Sequence, residues 1–269
     1  MPELPEVETV RATLENEIKN EIITGIDLYY SKLITNELNW FIKSIINQKI
    51  HSIDRLGKYL IFILDQYAMI IHLRMEGKFY IKTDEPIEKH EHVVFHLQSG
   101  RNLRYHDVRK FGTITLLDIN TYLDEYPLIQ LGREPKNLDY HQFYEMIHHK
   151  KITIKQILLD QHIIAGLGNI YVDETLFLSR IHPTRSASSI TLTEAKLIIS
   201  SATEVLDKAI QLGGTTIRSY TSSLGVHGRF QNELNVHMKK GELCPMCNTE
   251  IIKIKVGGRG TYVCPKCQH

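Results

Sequence analysis

Two groups of residues, at opposite ends of the chain, have types and spacing that could do chemistry. Near the C-terminus, Cys244, Cys247, Cys264 and Cys267 form a C-x2-C-x16-C-x2-C pattern and are the only cysteines present. Such spacing suits a tetrahedral four-thiolate zinc site, each close pair cupping the ion from a tight knuckle. With all four positions taken by sulfur, none is open to water, so the expected metal is structural. A redox dithiol fits two matched pairs poorly. Between the pairs, residues 251–256 and 261–263 read as strands around Gly257 and Gly258. Arg259 stands between two glycines, with Lys253, Lys255 and Lys266 nearby. Flanking glycines permit close backbone approach, and a guanidinium fork suits phosphate. At the other end the chain begins Met1-Pro2-Glu3. Loss of Met1 would leave Pro2 as a secondary amine, able to attack an electrophilic sugar or carbonyl carbon and form an iminium. An α-amino group also titrates near neutrality. Glu3 and Glu6 lie beside it. On these residues alone the stronger reading is a rigid acidic N-terminus that caps a helix.

The elements that must position these groups follow from composition and periodicity. The chain has 269 residues, 42% of them hydrophobic, enough for two domains with cores of their own. Ordinary glycine, proline and charge content excludes disordered, collagen-like and mucin-like classes. No stretch has the apolar length of a membrane span, and the acidic start does not read as a signal peptide. Clustered cysteines fit a reducing cytoplasm. The net charge of +1 hides a polarity: residues 1–150 hold 18 basic and 22 acidic residues, residues 151–269 hold 14 and 9. Pro5 opens an amphipathic helix carrying Val7, Val10, Leu14 and Ile18, with Glu6 and Glu8 at its positive end. A helix is expected over 36–46. Strands are expected over 22–30, 58–64, 67–73, 78–82, 92–97, 102–106 and 112–117, the pattern of a sandwich or barrel-like domain. Helical periodicity follows over 141–149, 153–159, 169–178 and 193–212. The Gly-, Ser- and Thr-rich segment 213–230 reads as a mobile connector.

The opening PELPEVET at 2–9, taken with the cysteine tail, resembles the formamidopyrimidine-DNA glycosylase family, bacterial enzymes that excise oxidised purines. The resemblance runs end to end, through GKY at 57–59, HLRMEG at 72–77, DVRKFG at 107–112 and IKQILLDQ at 154–161. It continues through AGLGNIYVDE at 165–174, GGTTIR at 213–218 and VGGRGT at 256–261. It implies an α+β multidomain protein: an N-terminal β-sandwich with flanking helices over 1–121, and a helical domain over 122–230 with a helix-two-turn-helix and a lesion-capping loop. A zinc-finger hairpin follows over 231–269.

The implied activity is that of a base-excision-repair glycosylase and abasic-site lyase that flips oxidised purines out of duplex DNA. Pro2 is then the nucleophile, Glu3 the acid/base partner, Glu6 a supporting acid and Lys58 a catalytic cation beside the lesion phosphate. Met75, Arg109 and Phe111 match the residues that fill the void and meet the opposite base. His72, Asn169 and Arg259 match contacts to the DNA backbone, although Asn169 could equally serve as a helix N-cap. Lys155 is assigned, through its matched segment, a lesion-side or phosphate role. Thr215, Thr216, Ile217, Arg218, Ser219 and Tyr220 fall in the loop that covers the everted base. Asp160 and Glu174 read as structural. One structural zinc, no organic cofactor, double-stranded DNA as partner, no membrane, a monomer and a bacterial cytoplasmic location complete the expectation. Segment 236–243 and Arg133 depart from the family pattern without touching the catalytic positions. The rival readings are an endonuclease VIII-type glycosylase for oxidised pyrimidines and a non-catalytic zinc-stabilised binder of damaged DNA.

Overall fold

The computed structural model describes residues 1–215 and 228–269, which form two compact units. The first comprises Met1–Ile129 with the ends of Gly213–Gly228. Helix α1 (Leu4–Ile18) leads into β1 (Ile23–Leu28), α2 (Leu38–Ile45) and seven more strands. These are β2 (Ser52–Leu56), β3 (Tyr59–Ile63), β4 (Tyr67–His72), β5 (Lys78–Lys82), β6 (Glu91–Leu97), β7 (Asn102–His106) and β8 (Thr113–Asp118). They build two antiparallel four-stranded sheets, ordered β1-β6-β7-β5 and β2-β3-β4-β8. Phe62, Met69, Ile71 and Ile114 from one sheet and Phe79, Val93, Phe95 and Leu103 from the other share one buried core. The expected apolar stripe of α1, Val7, Val10, Leu14 and Ile18, lies in that core, as do Phe41 and Ile45 of α2. Strand β2 was not expected from the pattern. It is an edge strand whose sequence SIDRL buries only Ile53, and charged residues are what an exposed sheet edge commonly carries.

Register decides where the loops of this unit lie. Leu56 pairs with Tyr59, Tyr59 with His72, and His72 with Thr113, so these strand ends form one row across a sheet. In the other sheet Lys78 pairs with His106. The two crossings between sheets, 73–77 and 107–112, therefore emerge at the same end of the sandwich, alongside the Gly57-Lys58 turn.

The second unit comprises Gln130–Leu212 and Arg229–His269. It contains α3 (Tyr140–Ile147), α4 (Ile154–Leu159), α5 (Asn169–Leu178), α6 (Leu192–Gln211) and a hairpin of β9 (Ile252–Val256) and β10 (Arg259–Val263). Asp139 caps α3, while Thr153 with Gln156 and Thr191 with Glu194 form capping boxes on α4 and α6. Every residue of α5 from Tyr171 to Phe177 is buried, which makes it the central helix of the unit. Phe177 shares a cluster with Val236, Ile251, Cys244 and Cys264, so the cysteine-bearing hairpin is packed onto α5. Among the described residues, no helix is long and apolar enough to cross a membrane.

Candidate active site and nucleic-acid interface

In the first unit the chemistry starts at the first turn of α1. Glu3 is the N-cap, and its backbone N–H donates to Glu6 Oε2 at 2.9 Å within a reciprocal capping box. Pro2, Glu3 and Glu6 are all buried. The other oxygen of Glu6 accepts the Thr215 N–H at 2.7 Å and the Thr215 hydroxyl at 2.9 Å. One carboxylate thus joins Glu3, the neighbour of the expected nucleophile Pro2, to the foot of the segment expected to cover a flipped base. A Cβ on Gly214, whose φ is +75°, would lie 2.7 Å from Glu6 Oε1, and one on Gly228 would lie 2.3 Å from the Gly214 carbonyl oxygen. Both feet of that segment therefore need glycine for close approach. Residues 216–220, expected to form the cover, lie outside the described residues.

Lys58 is brought to this end of the sandwich by the two-residue turn between β2 and β3. Gly57 takes φ +56°, the first central position that a type II′ turn reserves for glycine. Arg55 Nη1 donates to the Gly57 carbonyl at 3.0 Å, and Arg55 Nε meets Glu8 Oε2 at 2.8 Å. This tie holds the start of α1 beside the turn that presents Lys58. Across the sheet, His72 is nine-tenths buried, with the Tyr59 ring edge-on at 4.6 Å. Burial first, then the positive charges of Arg74 and Lys58, hold the His72 imidazole down to about 3. It is therefore neutral at physiological pH. Its Nδ1 accepts the Arg74 N–H at 2.9 Å, which leaves the ring proton on Nε2 as an uncharged donor suited to a phosphate oxygen. Met75 is half-buried on the adjacent crossing loop. Phe111 is 53% exposed on the other, with the Arg109 guanidinium 4.8 Å from its ring centroid. An outward phenyl ring backed by a cation is a poor core residue and a good wedge.

In the second unit Asn169 opens α5 directly after Gly168, and its Nδ2 donates to the Gly260 carbonyl at 3.0 Å. Among the described residues its buried Oδ1 has no hydrogen-bond partner. The side chain therefore joins helix to hairpin and is not the cap of its own helix. The turn before it is laced by Gln161, whose Nε2 donates to the Leu159 and Leu167 carbonyls and whose Oε1 accepts the Gly166 N–H. Gly257 and Gly258 form the hairpin turn with φ of +54° and +79°, and Arg259 is the first residue of β10, exposed to solvent. A Cβ on Gly257 would lie 2.7 Å from Gln156 Cγ, so the turn rests on α4. Arg259 and the start of α5 are thereby held on one rigid frame.

Lys155 does not fit the expected contact with DNA. It is fully buried, and its ammonium pairs with Asp173 Oδ1 at 2.7 Å and reaches the Gly260 carbonyl at 3.5 Å. A cation enclosed in this way holds the hairpin to α5. Asp173 Oδ2 meets His237 Nδ1 at 2.7 Å, which gives a structural use to one position where the sequence departs from the family pattern. Glu174 accepts the N–H groups of Asn235, Val236 and His237 at 2.8–3.0 Å, a structural role as expected. Arg55, Gln161 and Asp173 were not singled out from the sequence. Only Gln161 carried a local signal, a polar side chain able to reach nearby backbone groups in a glycine-rich turn.

The four cysteine sulfurs all lie within 4.8 Å of one another, with Cys244–Cys267 at 3.8 Å and Cys247–Cys264 at 3.5 Å. Sulfurs bound tetrahedrally to zinc at about 2.3 Å would be roughly 3.8 Å apart, so the set fits that ion.

Comparison with known proteins agrees with this architecture segment by segment. The family model for the formamidopyrimidine-DNA glycosylase N-terminal domain matches residues 1–114, that for the family's H2TH domain residues 131–221, and that for a zinc finger found in FPG and IleRS residues 241–269. The formamidopyrimidine-DNA glycosylase of Oceanobacillus iheyensis is 46% identical, over 100% of this chain and 98% of that protein. The solved complex of a Lactococcus lactis FPG mutant with Fapy-dG containing DNA superposes with a TM-score of 0.94 at 44% identity, over 100% of both chains. Wild-type Lactococcus lactis FPG with oxidized pyrimidine containing DNA gives 0.93 and 43%, again over 100% of both. Family models for all three segments, and this identity along the whole length, show that the chain belongs to the formamidopyrimidine-DNA glycosylase family.

Proposed function

We propose that the protein removes oxidised purines from duplex DNA and then cleaves the strand, using Pro2 as the nucleophile after loss of Met1. The observation that carries this reading is the buried Pro2-Glu3-Glu6 turn, set at the same end of the sandwich as Lys58, His72 and the two crossing loops. The Pro2 nitrogen bonds to C1′ of the everted nucleotide as the bond from C1′ to the base breaks. Glu3 supplies and recovers protons as the sugar ring opens to an iminium. The iminium acidifies the neighbouring sugar protons, so β- and then δ-elimination of the flanking phosphates follows. Lys58 and neutral His72 meet phosphate beside the lesion. Met75, Arg109 and Phe111 occupy the vacated stack, and Asn169 and Arg259 hold the DNA backbone. Residues 215–220 cover the base. Zinc, held by Cys244, Cys247, Cys264 and Cys267, supplies no reaction step: it shapes the finger that carries Arg259. In this reading residues 1–121 serve catalysis, 122–230 the grip on DNA and cover of the lesion, and 231–269 the finger, in a monomer acting in the bacterial cytoplasm.

Borohydride trapping tests the mechanism. Protein shown by intact mass to lack Met1 should become covalently joined to 8-oxoguanine DNA, and Glu3→Gln should bind that DNA while losing base removal. Binding without trapping would overturn the mechanism in favour of a non-catalytic binder. The Lactococcus lactis complex with oxidized pyrimidine containing DNA favours a second, broader reading in which the same site accepts some oxidised pyrimidines. Parallel excision of 8-oxoguanine and thymine glycol from matched duplexes separates the two.

A further inference from the structure

The side chains proposed to enter the duplex come from two loops that are distant in sequence. Met75 lies in 73–77, Arg109 and Phe111 in 107–112, and register alone brings these crossings to one end of the sandwich. A wedge made of two independent loops would insert poorly, so what holds them to each other matters.

Asp107 is fully buried at the root of the second loop. Its Oδ1 accepts the Arg109 N–H at 3.0 Å, and its Oδ2 accepts the N–H groups of Phe111 and Gly112, each at 2.9 Å. Its own N–H donates to the His90 carbonyl at 3.0 Å, and its carbonyl accepts from His92 Nε2 at 2.9 Å. One carboxylate thus gathers three inward N–H groups, and Val108 and Phe111 are left 50% and 53% exposed. Lys110 within this loop has φ +57°, and Arg74 in the other has φ +54°. Left-handed backbone at residues other than glycine persists only where the surroundings over-determine it.

Tyr105, fully buried one strand position before His106, connects the loops. A Cβ built on Gly77 would lie 2.2 Å from its hydroxyl oxygen, and one on Gly112 would lie 1.8 Å from it. The phenol tip therefore fills a slot between the last residue of one loop and the last residue of the other. The first loop is closed on itself by the Gly77 N–H donating to the Leu73 carbonyl at 2.9 Å, so displacement of Gly77 moves the whole turn.

We propose that Asp107 and Tyr105 are positioning residues that lock the two crossing loops together, so that Met75, Arg109 and Phe111 enter DNA as one rigid wedge. This rests on the reading of those three side chains as the fillers of the void. Neither positioning residue needs to touch DNA. Asp107 sets the direction of Arg109 and Phe111, and Tyr105 transmits that placement to the loop bearing Met75.

The test uses the full-length zinc-loaded protein and compares Asp107→Asn and Tyr105→Phe with Arg109→Ala and Phe111→Ala. Asparagine must present an NH₂ group to at least one of the three N–H donors. The readouts are single-turnover excision of 8-oxoguanine, the ratio of excision opposite cytosine to that opposite adenine, borohydride trapping on a single-stranded abasic oligonucleotide, and thermal melting. Asp107→Asn should slow excision by about tenfold or more, since small misplacement of reacting groups carries that scale of loss. It should also move the opposite-base ratio to that of Arg109→Ala, while trapping on the single strand, which requires no eversion, is retained. Tyr105→Phe, which removes one oxygen and threatens folding least, should shift the same two readouts in the same direction. Unchanged excision and ratio in both variants, or equal slowing of excision and single-strand trapping, would overturn the proposal. If Arg109→Ala and Phe111→Ala also leave excision and ratio unchanged, the void-filling reading falls with it. If those two change them and Asp107→Asn and Tyr105→Phe do not, only the positioning inference falls.

Discussion

At Lys155 the ammonium is enclosed by protein and paired at 2.7 Å with a carboxylate, Asp173, that is itself buried. Removing one member of such a pair strands the other charge, which typically costs about 3–5 kcal/mol. Lys155→Met keeps most of the apolar stem, so its effect should come from the stranded Asp173 and not from lost packing. A denaturant melt should show destabilisation on that scale, with the hairpin loosened from α5. Had Lys155 been a DNA contact, the same variant would have left stability nearly unchanged and weakened binding. The contrast with Arg259 is instructive, because both are cations in matched motifs. One is sealed against Asp173, while the other is exposed at the first position of β10. Residue type and motif could not separate them, since each depends on whether elements distant in the chain cover it.

At the scale of elements, the cysteine hairpin is the least self-sufficient piece. Its buried apolar cluster is Val236, Ile251 and the two buried cysteines against Phe177 of α5, with Leu178 and Tyr262 packed alongside, a small cluster for the order it must sustain. Structural zinc contributes about 10–16 kcal/mol in comparable small sites. Chelation should therefore unfold the hairpin, release Gly260 from Asn169 and Lys155, and lower affinity for damaged and undamaged duplexes alike. Circular dichroism and DNA titration, with zinc added back, would check this, and loss restricted to damaged DNA would contradict it. Periodicity located most elements well: α5, β5 and β7 occupy the expected residues, and α1 buries the expected stripe. Strand β2 escaped because Asp54 and Arg55 interrupt its apolar pattern, although Arg55 supplies the tie between α1 and the Lys58 turn.

For the whole molecule, acid sensitivity follows from where imidazoles are buried. Burial is the leading cause that lowers His72, His92 and His106, with His72 held down to about 3 against an ordinary value of 6.5. In the unfolded chain these rings take up protons as pH falls through about 6.5, while the folded protein resists until lower pH. The unfolded state then binds more protons, so stability is fully present above that value and declines below it, for His72 down to about 3. Glu21 and Glu91 are lowered despite the opposing effect of burial, through hydrogen bonds and their cationic partners Arg101, Lys82 and Arg104. Their contributions are lost when pH falls below the ordinary carboxylate range of about 4–5, in the same direction. Melting temperature should therefore fall steadily from pH 7 to pH 5. His72→Gln should flatten part of that slope, and a profile without slope across this window would contradict the buried neutral imidazoles.

The sequence by itself determined what depends on neighbours along the chain: the metal-binding knuckles, the placing of a proline directly after Met1, the helix and strand periods, and the capping of α1 by Glu3 and Glu6. Its motifs also pointed to Lys58, His72, Met75, Arg109 and Phe111. Tertiary structure decided which of these groups share one end of the sandwich, because that depends on register between strands distant along the chain, which pairs Tyr59 with His72 and His72 with Thr113, and a period of two is the same in every register. It also decided which charges face water. Arg104 and Lys155 are buried against Glu91 and Asp173, while Arg259 remains exposed. Long cationic side chains follow the cover that distant elements provide, and composition carries no record of that cover.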